Sequence, residues 1–151
     1  MNIFFLDRDI QKCVESHNSR HCVKMILEYS QLLCSALHMT GKPAPYKLTH
    51  KNHPCAVLAR QSICHWNYLK ELALALSKEY TYRYGKVHKS QAIIESLETP
   101  SLPDNGWSDP PQCMPEESKR SDVVEAYRTY YITSKSAIAQ WKNRKATEWY
   151  K

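Results

Sequence analysis

The sequence predicts an all-α fold: a compact single-domain helical bundle with a long buried central helix and a proline-rich loop. Two long segments, residues 19–39 and 54–84, carry apolar residues at helical spacing. Only three glycines occur in 151 residues, and the turn-rich alternating segments of an all-β protein are missing. An apolar fraction of 42% is enough for a sizeable core, so we predict one domain over residues 1–151.

The N-terminal part of the chain predicts three elements. They are an extended lead-in over residues 1–8, a short helix over residues 9–17 and a long helix over residues 19–39. The long helix stops at Thr40-Gly41-Lys42-Pro43, because glycine favours the conformation that ends a helix and proline cannot continue one. This helix is the clearest element in the sequence.

The middle of the chain predicts one long helix and one short helix. Pro54 suits the first position of a helix, with Asn52 or His53 as its N-cap. The long helix spans residues 54–84 and ends at Gly85. Its residues at helical spacing are Ser62, Trp66, Leu69, Ala73, Leu76 and Tyr80. A shorter helix is expected over residues 88–97.

The C-terminal third begins with an irregular loop over residues 99–121, which contains five of the eight prolines. Asp122, with Glu125 three residues later, forms a capping pattern that opens a helix over residues 122–132. After a bend, helical structure is expected to continue over residues 134–141.

Hydropathy predicts no membrane partner. No run of 18 apolar residues occurs, so no membrane span is expected. The N-terminal sequence MNIFFLDRD has a short apolar patch followed at once by charges, unlike the basic start and longer apolar stretch of a signal peptide. We therefore expect a cytoplasmic protein.

The cysteine spacing favours free, buried thiols. The six cysteines are separated by 9, 12, 21, 9 and 49 residues, with no Cys-x-x-Cys pair. Three of them lie in apolar helical segments, where a free thiol acts as a small hydrophobe. A metal site built on His50 and His53 lacks a third convincing ligand, so we predict neither a metal nor a cofactor.

The charge distribution favours DNA as a partner. The net charge is +6, and eight Lys or Arg residues face two acids over residues 47–89. Residues 119–151 carry eight Lys or Arg residues and three acids. This segment ends in a tail of cations and aromatics over residues 142–151. The loop between them, residues 99–118, has four acids and no base. Two basic segments suit a phosphate backbone, with a free nucleotide as the alternative partner.

The long central helix carries one polar stripe on an otherwise apolar surface. At about 100° per residue, the stripe falls within roughly a third of the circumference. Its members are His21, Lys24, Glu28, Gln31, Ser35 and His38. One interpretation is a solvated edge with a routine ion pair between Lys24 and Glu28. The other is the wall of an active site, with His21, Lys24 and Glu28 as catalytic residues.

A polar loop and the aromatic end of the next helix supply further binding candidates. The loop precedes a helix N-terminus, where free N–H groups and the helix dipole favour phosphate. Residues 79–89 interleave cations with aromatics, a mixture typical of nucleic-acid binding and also of amphipathic helix ends. The predicted substrate-binding residues are Gln31, Tyr46, Thr49, His50, Asn52, His53, Arg60, Arg83 and Lys86.

The segment from His21 to Tyr29 resembles a motif of the small phage pyrimidine-dimer DNA glycosylase/AP lyases. In that family one helix carries a histidine, a catalytic glutamate seven residues later, and then an arginine; the matching positions here are His21, Glu28 and Gln31. A long aromatic-rich helix ending near Arg83 and a C-terminal Trp-Tyr-Lys extend the resemblance to about half the chain. The chain is also similar to phage proteins that carry Asn-His-Pro and Tyr-Arg-Tyr-Gly-Lys.

The resemblance implies a flipped nucleotide attacked at C1′ by an amine, followed by strand cleavage through an imine. In the family the amine is the N-terminal α-amino group after removal of methionine. Here Asn2 would usually leave Met1 in place, so three routes stay open. Met1 or Lys24 forms the imine, or Glu28 activates water without an imine.

Three functions therefore compete. The first, which we favour because catalytic-type residues are dense on an otherwise apolar helix, is a DNA base-excision or base-modifying enzyme with Glu28 as acid/base. The second is an enzyme that acts on a free nucleotide or nucleotide signal through the same stripe and loop. The third is a non-catalytic phage module that binds nucleic acid or inhibits a partner, in which the stripe is structural.

Overall fold

The chain folds into six α-helices and two single turns of 3₁₀-helix, and no strand is present among its 151 residues, all of which the computed structural model describes. The helices are α1 Ile10–Ser16, α2 Ser19–Met39, α3 Pro54–Gln61, α4 Ile63–Tyr84, α5 Lys89–Ser96 and α6 Val123–Ser134. The 3₁₀ turns are Glu116–Ser118 and Ser136–Ile138. The all-α prediction is confirmed.

Helix α2 lies at the centre, in contact with α3, α4 and α5. Its bounds agree with the predicted helix over residues 19–39, and the Asn18 side chain caps it by accepting a hydrogen bond from the N–H of His21 at 2.8 Å. Twelve of its 21 residues are buried. The indole N–H of Trp66 on α4 donates to the carbonyl of Leu33 at 3.2 Å and ties the two longest helices together.

The first residues run through the interior rather than over the surface. Residues 3–6, Ile-Phe-Phe-Leu, are buried without forming a regular element. The N–H of Phe4 donates to the Tyr29 hydroxyl at 3.1 Å, and the Cys13 thiol donates to the carbonyl of Phe4 at 3.2 Å. This segment therefore leads Met1 to the side of α2.

The predicted single helix over residues 54–84 is wrong in one respect: the chain breaks at Ser62. Ser62 has extended backbone angles, φ −150° and ψ 147°, and separates α3 from α4. The loop after α5 supplies the partners at the break, because Pro103 accepts from the N–H of Ile63 at 2.9 Å and Asn105 donates its N–H to the Ser62 hydroxyl at 3.0 Å. The predicted ends of the segment, Pro54 and Gly85, are confirmed.

The C-terminal third wraps around the N-terminal helices. Asp122 caps α6 by accepting from the N–H of Glu125 at 3.0 Å, as predicted, but α6 runs on to Ser134. The predicted helix over residues 134–141 is wrong, since only one 3₁₀ turn forms there. Trp141 is buried and donates to the carbonyl of Ser16 at 2.9 Å, so the tail packs on the α1–α2 junction.

None of the six α-helices combines the length and the apolar character that a membrane-spanning helix needs.

Candidate active site at the N-terminus

The polar stripe of α2 opens onto a small cavity beside the N-terminus. The cavity has a volume of about 180 Å³. Its walls come from the first residues of the chain, from α2, and from the C-terminal part of α6 together with Lys135, which follows that helix. The lining residues are Met1, Asn2, Phe4, His21, Lys24, Met25, Glu28, Tyr130 and Lys135. All three predicted catalytic residues therefore meet in one place.

Glu28 lies between two amines. Its Oε1 is 3.1 Å from the α-amino nitrogen of Met1, and its Oε2 is 3.5 Å from Nζ of Lys24. The Glu28 side chain is 14% exposed and that of Met1 is 6% exposed, whereas that of Lys24 is 65% exposed. Oε2 makes no hydrogen bond within the protein although it is buried. The carboxylate thus holds one sheltered amine and keeps one oxygen available as an acceptor.

His21 forms the inner wall of the cavity as a neutral ring. It stacks on Phe4 with ring centroids 4.2 Å apart, and its Nδ1 lies 2.6 Å from the Tyr131 hydroxyl. Burial lowers the pKa of His21 to about 3, and the neighbouring His17 and the positive charges of Lys135 and Lys24 act in the same direction. The Tyr131 hydroxyl accepts from the N–H of Asn18, and Nδ1 of His21 is the one acceptor beside its own buried proton. Tyr131 therefore donates to Nδ1 of His21, which leaves Nε2 of His21 as the N–H donor.

The Asn-His-Pro turn, residues 52–54, lies within electrostatic reach of Met1 and Glu28. His53 caps α3, with its Nδ1 accepting from the N–H of Cys55 at 3.1 Å. Burial, the Met1 ammonium and His50 lower the pKa of His53, while the Glu28 carboxylate acts the other way. The turn and the predicted catalytic residues therefore belong to one region, although His53 does not line the cavity itself.

Beneath the N-terminus, two cysteines from distant parts of the chain meet. The sulfurs of Cys55 and Cys113 are 3.9 Å apart, and the Asn2 side-chain amide donates to the carbonyl of Cys113 at 2.7 Å. The hydrogen bond from the Cys55 thiol lowers the pKa of Cys113 to about 7, and the Met1 ammonium and Lys119 act in the same direction. All six cysteines are free thiols.

Three predicted binding residues of the polar loop serve to shape that loop. Thr49 exchanges hydrogen bonds with Ser35 on α2, both at 3.2 Å, and its hydroxyl lies 2.7 Å from Nδ1 of His50. The Tyr46 hydroxyl lies 2.8 Å from the Ser90 hydroxyl. His50 itself adopts a φ of +49°, and it is exposed, as is Asn52.

Four other predicted binding residues are not brought to the cavity. Arg83 is buried, with its guanidinium bound to Glu79 and to backbone carbonyls, so it has a structural role and leaves the candidate site. Arg60 donates to the carbonyl of Lys51 at 2.6 Å, and Lys86 is exposed. Gln31 is half-buried, further along α2 than the cavity-lining residues.

Sequence reasoning missed the residues that complete the cavity. Tyr130 and Lys135 come from the last helix and the residue after it, and Phe4 comes from the buried lead-in. The apolar run at residues 3–6 is a signal that this segment is internal, and it could have placed Phe4. No local signal marks Tyr130 or Lys135, because their approach to α2 depends on the tertiary fold.

A larger groove, of about 690 Å³, lies between α1 and the C-terminal tail. Its charged residues largely neutralise one another: Arg128 pairs with Asp7 at 3.0 Å, and Arg144 lies 3.7 Å from Glu15. Arg144 also binds the buried Glu79 at 2.6 Å. Because both arginines of this groove are already paired and the predicted catalytic residues lie elsewhere, we place the candidate site at the smaller cavity.

Comparison of the chain with protein-family models, with curated proteins and with solved structures gave no match.

Proposed function

We propose that the protein is a DNA base-excision enzyme of the glycosylase/lyase type, acting on a flipped nucleotide. Glu28 is the acid/base, and the α-amino group of Met1 is the nucleophile. The observation that supports this proposal is the 3.1 Å contact between the Met1 nitrogen and Oε1 of Glu28 at a sheltered cavity. The same arrangement matches the chemistry implied by the resemblance of the segment from His21 to Tyr29 to the phage glycosylase/AP lyases.

The proposed reaction begins when Glu28 accepts a proton from the Met1 ammonium. The free amine then attacks C1′ of the nucleotide: a C–N bond forms, the C1′–base bond breaks with its electron pair leaving on the base, and the base takes the proton held by Glu28. One proton moves from the nitrogen to O4′ as the sugar ring opens, which gives a protonated imine. Glu28, again a carboxylate, removes a proton from C2′, and the bond from C3′ to the phosphate oxygen breaks with its electron pair leaving on the 3′ phosphate, which cuts the strand. Water then hydrolyses the imine and frees the Met1 amine. Glu28 Oε2, which has no hydrogen-bond partner, is an acceptor for one of these protons.

The cations around the cavity suit a nucleic-acid substrate. Lys24 is largely exposed and Lys135 is half-exposed, and both line the cavity, so their ammonium groups are available to the phosphates of a bound strand. The neutral His21 adds a hydrogen-bond donor at the wall. A cavity of about 180 Å³ admits one sugar or one single-ring base.

The decisive variant is Glu28→Gln, which keeps the size of the side chain and removes its proton acceptor. We expect DNA binding within about twofold of the unsubstituted protein and turnover reduced by at least about 100-fold, the usual range for loss of an acid/base group. The assay measures base release and strand cleavage on a panel of duplexes with abasic sites and modified bases, together with a borohydride-trapped adduct. Absence of base release, cleavage and adduct on every duplex would overturn the proposal.

The nucleophile is assigned by the position of the trapped adduct. With a chain whose first residue is confirmed as Met1 by mass spectrometry, peptide mapping should place the adduct on residue 1. Acetylation of the α-amine should abolish the adduct, whereas Lys24→Met should retain it and weaken DNA binding. An adduct on Lys24 would assign the imine to the lysine instead, and base release without an adduct would assign water activated by Glu28.

The two lysines beside the cavity suit one second candidate, an enzyme that acts on a free nucleotide. Because the cavity is smaller than the roughly 300–1,000 Å³ of typical small-molecule sites, only the base or the sugar of a mononucleotide would enter it, with the phosphate outside near Lys24 and Lys135. Thermal-shift measurements separate the two functions. Stabilisation by mononucleotides at high salt, without affinity for DNA, would favour the second candidate.

A further inference from the structure

Three metal-ligand side chains converge next to the N-terminus, outside the cavity. They are His53 at the N-cap of α3, Cys55 in its first turn, and Cys113 from the proline-rich loop. Their ligand atoms all lie within 4.8 Å of one another. Cys55 is buried and the other two are half-buried, so the cluster is sheltered from solvent while still open on one side.

The sulfur separation fits a bound ion better than a disulfide. A Zn–S distance of about 2.3 Å places two sulfurs of a tetrahedral ion about 3.8 Å apart. The observed separation of the Cys55 and Cys113 sulfurs is 3.9 Å. A disulfide would require the two atoms to approach by roughly 1.8 Å more. In a tetrahedral zinc site the histidine nitrogen lies about 3.6 Å from each sulfur. Because the three ligand atoms lie within 4.8 Å of one another, the ring would have to move by roughly 1 Å at most.

We propose that His53, Cys55 and Cys113 form a three-ligand site for a soft divalent ion, with zinc as the expected metal. One imidazole and two thiolates are a donor set that zinc prefers, and three protein ligands leave one tetrahedral position for water. The site is distinct from the Met1–Glu28 pair and goes beyond the proposed function. The proposal departs from the prediction of no metal, which considered only local spacing, whereas Cys113 lies 58 positions from Cys55 in the sequence.

Two features of the surroundings bear on binding. The Asn2 amide fixes the carbonyl of Cys113 at 2.7 Å, which restrains the loop that carries the second sulfur. Against binding, Nδ1 of His53 already accepts from the N–H of Cys55, so coordination by the ring replaces that cap bond. A single N-cap bond contributes far less free energy than the metal–ligand bonds of a zinc site, so the exchange favours the ion.

The test is a titration of the full-length, reduced protein with Co²⁺, followed by displacement with Zn²⁺. We expect one ion per chain and the visible and near-ultraviolet bands of tetrahedral, thiolate-bound cobalt. Cys55→Ser and Cys113→Ser should each roughly halve the thiolate-to-cobalt band and weaken zinc binding by at least about 100-fold. His53→Asn, which keeps an N-cap acceptor, should weaken binding to a similar extent while the helix content stays constant.

The matched control is Cys64→Ser, which removes a half-buried thiol outside the cluster and should leave the titration unchanged. Glu28→Gln should also keep the cobalt spectrum, so that failure of the proposed chemistry and failure of the metal site are read separately. Absence of thiolate bands, or an unchanged affinity in the Cys55→Ser/Cys113→Ser double variant, would overturn the proposal. So would a Cys55–Cys113 disulfide that forms in air despite excess zinc.

Discussion

The two amines beside Glu28 differ in how strongly solvent screens their interaction with the carboxylate. The Lys24 side chain is 65% exposed, and an ion pair of this kind on a helix surface contributes less than about 1 kcal/mol. The Met1 nitrogen approaches the same carboxylate more closely, at 3.1 Å, where both side chains are largely covered. Solvent therefore screens the Met1 pair less, and this difference supports the proposal of Met1 as the nucleophile and of Lys24 as a phosphate contact.

Arg83 shows how a cation near an aromatic helix end can belong to the interior. Its Nε donates to Glu79 at 2.7 Å, and its other nitrogens donate to the carbonyls of His17, Val14 and Glu15 at 2.8 to 3.3 Å. Burial raises the pKa of Glu79, but hydrogen bonds from Arg144 and Arg83 outweigh this and hold the pKa below its ordinary value. Arg83 thus joins α4 to the α1–α2 junction.

We expect Arg83→Met to lower the free energy of unfolding by about 3–5 kcal/mol, because it leaves buried carbonyls without donors and removes one partner of a buried carboxylate. Lys86→Met, three residues later on the exposed surface, should change it by less than about 0.5 kcal/mol. Denaturant unfolding of both variants measures the difference. Equal stability of the two would contradict the structural role assigned to Arg83.

At the scale of the helices, the sequence predicts what is encoded locally. The bounds of α2, the caps at His53 and Asp122, and the end of α4 at Gly85 all follow from residues within one helical turn of each boundary. The break at Ser62 could not be predicted, because its hydrogen-bond partners are Pro103 and Asn105, about 40 residues away. Tertiary contacts there outweigh the helix propensity of the surrounding segment.

The candidate site likewise combines residues that a local sequence pattern could group with residues that only the tertiary fold brings together. His21, Lys24 and Glu28 share one face of one helix, so a period of about 3.6 residues is enough to group them. Tyr130, Lys135 and Cys113 reach the same region only through the packing of α6 and the proline-rich loop. A single sequence contains no signal that residues so far apart along the chain will lie close together in space.

The end of α4 provides a test of local encoding. Gly85 has a φ of +71°, and a Cβ added there would meet nothing within 4 Å. Gly85→Ala should therefore destabilise the protein by about 1–2 kcal/mol through backbone strain alone. Gly85→Asn should cost less, since asparagine tolerates the left-handed region. Denaturant midpoints of the three proteins measure this order, and an alanine variant as stable as the glycine protein would contradict it.

At the scale of the whole molecule, the position of the Met1 amine depends on the core. The hydrogen-bond chain runs from the N–H of Phe4 to the Tyr29 hydroxyl at 3.1 Å and on to Nε2 of His17 at 2.8 Å. Nδ1 of His17 then donates to the carbonyl of Cys13, also at 2.8 Å. A carbonyl only accepts, so Nδ1 carries the proton and Nε2 accepts from Tyr29. With these proton positions His17 is neutral.

The neutral histidines make stability depend on pH. Burial lowers the pKa of His17 to about 4 and that of His21 to about 3, against about 6.5 in the unfolded chain. Between about pH 6.5 and the folded-state pKa values, the unfolded chain binds more protons than the folded protein does. The free energy of unfolding therefore falls as the pH drops below about 6.5, and it levels off below the folded-state pKa values. From about pH 7 to about pH 5, His17 alone should remove about 2 kcal/mol, with His21 adding to the loss.

Denaturant unfolding at about pH 7 and about pH 5 measures this loss, in an interval above the titration of ordinary carboxyl groups. His17→Gln, which offers an amide in place of the ring, should lower stability at both pH values and shrink the difference between them. His50→Asn replaces an exposed histidine with a residue that tolerates its φ of +49°, so it should keep the full difference. An unfolding free energy that does not change between the two pH values would show that His17 and His21 are not held neutral by the core, and the hydrogen-bond chain that positions Met1 would then need another assignment of protons.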